Sequence, residues 1–353
     1  MSRMLEEIRR QPAALERTLT AELRCVQRFR RKLKQRWPRL ILLAARGTSD
    51  NAAQFGRYLL EITTRIPVSL AAPSIFTLYE AGVDLRDALV VAISQSGEST
   101  DTNLVLEQAR CQGAITVGIT NERRSTLAGL AEFPLLVRAG KEKSVAATKT
   151  YTGQLMVLYM LARALGAGIR LDDLRRIPEW ANAALEIEPQ IAALAERYRF
   201  MEHAVVVGRG LNYANAFEFS LKLKETCYVV AEGFSTADFL HGPIAMIERA
   251  FPVFAFAPPG VTWPSMREIL GRLQQLKAET LILTDRSNRD ACSQRGPTIC
   301  LPAKLAARRA WPTELYTPIP YIIPAQLFAA HLASQKGLDP DRPRTLTKVT
   351  RTL

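Results

Sequence analysis

Short unbroken apolar runs alternate with longer stretches of helical spacing along most of this chain. Arg39 to Ala45 reads as a buried strand; the turn Arg46-Gly-Thr-Ser-Asp50 follows, and an amphipathic helix runs to about Glu61. Further runs at Val68 to Leu70, Ala88 to Ile93, Ile115 to Ile119 and Leu135 to Val137 predict strands, with helical patterns over 100–112 and 147–165. Strands that are apolar throughout, rather than at alternate positions, are covered on both faces, which is the habit of a parallel sheet between helices. The first half is therefore expected to be a doubly wound α/β domain.

From Leu171 to Phe200 the spacing is helical with no strand signal, as expected of a connecting helix. After it the opening pattern returns. Val205-Val-Val-Gly-Arg-Gly-Leu-Asn-Tyr-Ala-Asn-Ala216 can be laid without a gap on Leu42-Leu-Ala-Ala-Arg-Gly-Thr-Ser-Asp-Asn-Ala-Ala53, pairing Arg209 with Arg46 and Gly210 with Gly47. Strand candidates follow at Val253 to Ala257, Leu281 to Thr284 and Thr298 to Leu301, then a helical run from Pro324 to Lys336 and a tail. The expected architecture is α/β, with two doubly wound αβα domains on parallel sheets related by internal duplication. The expected boundaries are a basic helical segment over 1–38, a first domain over 39–170, a connecting helix over 171–200, a second domain over 201–337 and a tail over 338–353.

Composition adds few constraints. With 353 residues and 48% hydrophobic content, the chain can bury two cores. Residues 1–12 are charged and lack the apolar stretch of a secretory signal, and no later run approaches the ~18 residues of a membrane span, so a cytoplasmic protein without membrane contact is expected. The cysteines Cys25, Cys111, Cys227, Cys292 and Cys300 are scattered, with no C-x-x-C pair and no nearby His at ligand spacing. They read as ordinary buried thiols, with no metal and no disulfide. The formal charge is +13, and residues 24–39 hold eight Arg or Lys and no acid. Such a run could serve as a nucleic-acid arm. Without a recognition motif it reads instead as a solvated helix face with Leu33 and Trp37 packed inward, and no nucleic-acid partner is expected.

The stretch Val91-Ala-Ile-Ser-Gln-Ser-Gly-Glu-Ser-Thr100 carries the candidate chemistry. It sits at a strand-to-helix turn, the carboxyl edge of a parallel sheet where ligands bind. There the first helical turn offers unpaired N–H groups and the positive end of the dipole, hydroxyls add donors, and Gly97 allows close backbone approach. A helix cap needs one or two hydroxyls. Ser94, Ser96, Ser99 and Thr100 exceed that need, which points to a phosphate site.

SQSGEST resembles the Ser-x-Ser-Gly-x-Thr phosphosugar loop of the sugar isomerase (SIS) domain family, with Ser99 where the family commonly has Thr. From about residue 40 onward the chain is similar to the double-SIS isomerase half of the glucosamine-6-phosphate synthases, through ARGTSDNAAQFGRYLLE, KEKSVAATKTYTGQL, GRGLNYANAFEFSLKLKETCYVVAEGFSTADFLHGPIAMI and DRPRTLTK. The resemblance implies an amino-sugar or ketose 6-phosphate substrate contacted by Thr48, Ser49, Ser94, Gln95, Ser96, Ser99 and Val145. It implies Glu225 as the base that moves a proton between C1 and C2, with Lys222 beside it, His241 in ring opening and Lys348 at the carbonyl carbon. Those types suit the chemistry, since a carboxylate near an amine can shuttle protons and a lysine can stabilise an open-chain carbonyl or condense with it. Read alone, Glu218, Lys222 and Glu225 would make a surface ion-pair ladder, His241 a loop histidine and Lys348 part of a frayed tail.

The synthases carry an N-terminal glutaminase domain that supplies ammonia, whereas a net-basic segment of some 40 residues precedes the first strand here. The expectation is therefore ammonia release: a glucosamine-6-phosphate deaminase forming fructose 6-phosphate, with no cofactor and no metal. A deglycase for a phosphorylated fructosamine and a non-catalytic sugar-phosphate sensor are the alternatives. Related isomerase units imply a homodimer with His241 acting across the interface.

Overall fold

The computed structural model describes residues 2–294, 296–305 and 311–346. The first elements in chain order are α1 (Arg3–Arg9), α2 (Gln11–Leu33), β1 (Leu40–Ala45), α3 (Thr48–Thr64), β2 (Val68–Leu70), α4 (Ser74–Thr77), β3 (Ala88–Ile93) and α5 (Thr100–Cys111). Next come β4 (Ile115–Thr120), α6 (Thr126–Leu130), β5 (Phe133–Leu136), α7 (Lys149–Ala164), α8 (Leu171–Leu185) and α9 (Glu188–Arg197). The rest are β6 (His203–Gly208), α10 (Tyr213–Cys227), β7 (Val230–Ser235), α11 (Thr236–Leu240), β8 (Pro252–Phe256), α12 (Trp263–Gln275), β9 (Glu279–Asp285), α13 (Arg289–Cys292), β10 (Thr298–Leu301) and α14 (Pro318–Gln335). They form two compact units. One comprises Ala13–Glu142 and Lys149–Arg175, the other the residues up to Pro12, Lys143–Thr148 and Arg176–Leu346.

Each unit is built on a five-stranded parallel sheet, ordered β2-β1-β3-β4-β5 in one and β7-β6-β8-β9-β10 in the other. The two orders are the same winding, the doubly wound order that reverses direction between its first and third strands. Central strands β3 and β4 are buried at every position; β3 is apolar throughout, whereas β4 buries Thr116 and Thr120 with their hydroxyls bonded to the Glu132 N–H and the Gln95 carbonyl. In the first unit α2 flanks the sheet edge: Phe29 packs edge-on against Phe133 of β5, the Thr18 hydroxyl donates to the Val137 carbonyl, and Arg138 pairs with Glu22 at 2.7 Å. In the second, the almost wholly apolar α14 is buried along its length, and Phe328 meets Phe254 of β8 and Phe219 of α10 at ring separations of 5.1 and 5.9 Å.

Several expectations are corrected. The stretch 171–200 is two helices: α8 ends at Leu185 and α9 starts at Glu188, with Pro189 in its first turn, where a missing N–H is tolerated. Helix α14 begins six residues before Pro324, since Pro318 and Pro320 stand in its first turn, where a missing N–H costs nothing. Strand β7 carried no apolar run; it is an edge strand, and Val230 and Glu232 are exposed. Trp37 does not pack inward. Helix α2 stops at Leu33, so Trp37 lies past its end and is 54% exposed. The cysteines are not five separate buried thiols. Cys292 and Cys300 form a disulfide with Cα atoms 6.1 Å apart, because β10 returns parallel to β9 beside the end of α13, and Cys111 is exposed. Cys227 is buried, which pushes its thiol up to about 12.

Arg9 makes two bonds of 2.9 and 2.7 Å to the Glu188 carboxylate, which also meets His331 at 3.0 Å. Burial pushes the Glu188 carboxyl up, but those two partners outweigh it and hold it below its ordinary value. A carboxyl lowered on folding adds stability above its unfolded pKa and loses it as pH falls through the folded one. Arg9→Ala should therefore cost about 1 kcal/mol near neutral pH, Arg9 being partly exposed, and the gap from the parent should close in acid. Denaturant titrations across a pH series measure this, and a gap that persists in acid would contradict it.

Candidate functional site

The first unit gathers its hydroxyl side chains at the carboxyl ends of β1 and β3, adjacent strands on which the winding reverses. After β1, Gly47 takes φ +57° and starts α3 at Thr48. Ser49 is buried and accepts a 2.9 Å bond from Gln154 Nε2 of α7. After β3, the loop is shaped by its own hydroxyls: Ser94 Oγ accepts the Gly97 N–H at 3.1 Å, and Ser96 Oγ accepts the Glu98 N–H at 3.2 Å. The Asn121 N–H reaches the Gln95 carbonyl at 3.1 Å, and Asn103 Nδ2 and the Leu127 N–H reach that of Gly97 at 3.1 and 3.0 Å. Ser99 is the N-cap of α5 and makes no capping bond to its backbone; its hydroxyl meets that of Thr102 at 3.0 Å. The four-hydroxyl surplus read in the sequence is thus not spent on capping. Gly97 has φ +69°, and a Cβ there would stand 2.1 Å from Ser125 Oγ, so no side chain fits.

Two groups at this edge carried no clear sequence signal. Asp101 is buried and paired with Arg46 at 2.8 Å, tying the turn after β1 to the first turn of α5. The repeated Arg-Gly at 46–47 and 209–210 was the available hint. Asp50 is pushed up by burial, with Arg46 opposing that shift.

The second unit keeps the frame of this edge and changes its chemistry. The offset that takes Gly47 to Gly210 also takes Gly97 to Gly260, and all four have positive φ. In the loop after β8, Ala257, Pro258 and Pro259 stand at the places of Ser94, Gln95 and Ser96. The buried Glu314 carboxylate occupies this loop, accepting from the Val261 N–H and the Thr262 hydroxyl at 3.4 Å each. Burial raises its carboxyl above the ordinary range, against the pull of those donors.

The proton-transfer candidates lie on α10 of this second unit. Lys222 and Glu218 are fully buried and 3.4 Å apart; Lys222 Nζ meets Glu225 Oε2 at 2.5 Å, and Glu225 is 23% exposed. The row is therefore no surface ladder: one lysine is held between two carboxylates, of which only Glu225 reaches outward. Glu225 lines a cavity of ≈ 270 Å³ with Lys224, Tyr228, Arg344, Thr345 and Leu346. Tyr228 fastens the C-terminal segment there, its hydroxyl accepting the Arg344 N–H at 2.8 Å and its ring lying 4.0 Å from the Arg344 guanidinium carbon. His241 is exposed at the end of α11, before Gly242 at φ +140°. Val145 is half-buried in the segment Lys143–Thr148. Lys348 lies outside the described residues.

Lys222→Met removes the charge partner that stands 3.4 Å from the buried Glu218 carboxylate and should cost about 3–5 kcal/mol of unfolding free energy. Lys222→Met with Glu218→Gln should recover much of that loss. Denaturant unfolding of both variants checks this, and a double variant no more stable than the single one would contradict it.

The SIS domain matches residues 36–164 and 199–334. A glutamine–fructose-6-phosphate aminotransferase (isomerizing) of Pyrococcus horikoshii is 36% identical over 352 residues, covering 98% of this chain and 57% of that protein. The chain thus spans little more than half the length of that relative. Among solved structures, the C-terminal domain of glucosamine-fructose-6-phosphate aminotransferase from Francisella tularensis superposes with a TM-score of 0.85 at 26% identity, over 97% of this chain and 98% of that one. A glucosamine-6-phosphate deaminase from Thermotoga maritima gives 0.75 at 21% identity over 99% and 100%, a likeness of fold. With both halves matched and both sheets wound alike, the chain belongs to the SIS domain family.

Proposed function

We propose that this chain is a phosphosugar isomerase of the deaminating kind, converting glucosamine 6-phosphate and water into fructose 6-phosphate and ammonia. The observation that carries the reading is the α10 row, in which a buried lysine holds one carboxylate, Glu225, at the wall of a cavity. The hydroxyl loop Ser94–Ser99 and the Thr48–Ser49 turn take the phosphate, through donors at the start of α5 and α3. Val145 lies along the sugar. Names of relatives that act on fructose 6-phosphate support the substrate class.

In the proposed reaction the ring opens to the C1 aldehyde, with His241 moving the proton. Glu225 takes the C2 proton while the C1 oxygen takes one from water, giving an enolamine; the hydroxide so formed is neutralised by the N–H proton lost when the imine forms. Return of the proton to C1 leaves an imine at C2, and water adds there and expels ammonia. Lys222 fixes the orientation of the Glu225 carboxylate. Lys348 serves the carbonyl carbon. Of the two directions open to this proton transfer, release needs only water beyond the residues named.

Purified protein should liberate ammonia from glucosamine 6-phosphate, and Glu225→Gln should lower kcat by about 10²-fold or more while substrate binding persists. Binding without ammonia, from this sugar or from a phosphorylated fructosamine, would end the catalytic reading. Ammonia from the fructosamine alone would replace deaminase by deglycase.

The same proposal has His241 act from a second copy of the chain in a homodimer, which suits its exposed position. Mixing inactive Glu225→Gln and His241→Ala chains should then restore activity to about a quarter of the parent's, because half the dimers are mixed and each holds one intact site. No recovery on mixing, or an active monomer in sedimentation, would contradict action across the interface.

A further inference from the structure

Helix α1 is seven residues long, too short to persist without tertiary support, and the bonds that hold it run to segments far away in sequence. Its N-terminal end is capped locally, Ser2 Oγ accepting the Leu5 N–H at 3.2 Å, and from the far end of the chain, Asp341 accepting the Arg3 N–H at 2.7 Å and the Met4 N–H at 2.8 Å. Three residues beyond Asp341, Arg344 is fastened by Tyr228 at the cavity that Glu225 lines. Toward its other end, the buried Glu7 accepts the N–H groups of Lys143 at 2.5 Å and Ser144 at 3.2 Å, immediately before Val145. Hydrogen bonds to an ionised carboxylate are among the stronger ones, and those at its two ends pull on different segments.

The helix has little freedom between them. Met4 and Ile8 are fully buried, α1 packs on α14, and Arg9 is bound to Glu188 in bidentate fashion. Just past it, Gln11 Nε2 donates to Gln326 Oε1 at 2.8 Å, and Gln326 Nε2 reaches the Thr148 carbonyl at 3.4 Å, a second tie to the segment carrying Val145. A body packed and bonded in this way moves as a unit, so a displacement at one end is felt at the other.

We propose that α1 is a strut coupling the C-terminal segment beside Glu225 to the Val145 loop, with Glu7 and Asp341 as its positioning residues. Its value to catalysis rests on the roles given to Glu225 and Val145 under Proposed function; the coupling itself does not. Neither residue touches substrate in this scheme. Each sets where a substrate-facing segment stands.

Amide hydrogen exchange on the full chain tests the coupling without any activity. Glu7→Gln should speed exchange about tenfold at residues 143–145 and, through the strut, at 342–346. Asp341→Asn should do the same in reverse, loosening residues 3–4 and also 143–145. Acceleration confined to the substituted end in both variants would overturn the proposal; if one variant does not fold, the other decides. In the ammonia assay, Glu7→Gln should raise KM about tenfold with kcat within about twofold, and an unchanged KM would overturn the strut's part in substrate binding, the coupling itself being decided by the exchange result. A parent protein that releases no ammonia ends the deaminase reading and leaves the exchange result standing.

Discussion

In a doubly wound parallel sheet, the two strands at which the winding reverses send their following helices to opposite faces, and the carboxyl ends between them stay uncovered. Both halves of this chain obey that constraint, at β1 and β3 in one and at β6 and β8 in the other. Much else follows from it. The uncovered edge is where backbone N–H groups of a helix start are available, and only there does a loop of small hydroxyl residues have a use beyond capping. The positive-φ glycines at 47, 97, 210 and 260 mark the same edge in both halves.

Duplication gave two equivalent edges, and their side chains diverged. The first has Ser94, Gln95, Ser96 and Ser99. In the second, Pro258 and Pro259 removed two N–H donors, and the Glu314 carboxylate took up the remaining Val261 and Thr262 donors. An anion supplied by the chain stands at the second edge, whereas at the first the Ser94 and Ser96 hydroxyls accept the Gly97 and Glu98 N–H groups. The second half has its chemistry elsewhere, on α10, where a fully buried lysine needs carboxylates on both sides to offset its desolvation. That requirement explains Glu218, a residue with no reach to solvent.

The N-terminal and C-terminal segments belong to the same compact unit, and their roles are mutual. Asp341 caps α1, α1 holds residues 143–144 through Glu7, and Tyr228 keeps Arg344 beside Glu225. The surface charge that dominates the composition has no comparable part in this network. Arg9 and Arg138 use theirs in specific ion pairs with Glu188 and Glu22, whereas much of the basic run after residue 24 is exposed.

Central strands such as β1 and β3 were legible along the chain, because their burial is matched by an unbroken apolar run. The hydroxyl loop and the recurrence of Arg-Gly were legible for a related reason: turn chemistry and duplication are local patterns that survive without contacts. Strand β7 was not, since an edge strand with exposed Val230 and Glu232 gains its place by pairing with β6 rather than by its own hydrophobicity. Nor could spacing tell a solvated ladder from a buried one at Glu218, Lys222 and Glu225, as helical periodicity is the same for both. The Cys292–Cys300 bridge, the Asp101–Arg46 pair and the hold of Glu7 on residues 143–144 all join groups whose closeness depends on how strands are ordered and helices packed. Local preference decides which segments form; which distant polar groups then meet is decided by the packing that buries them.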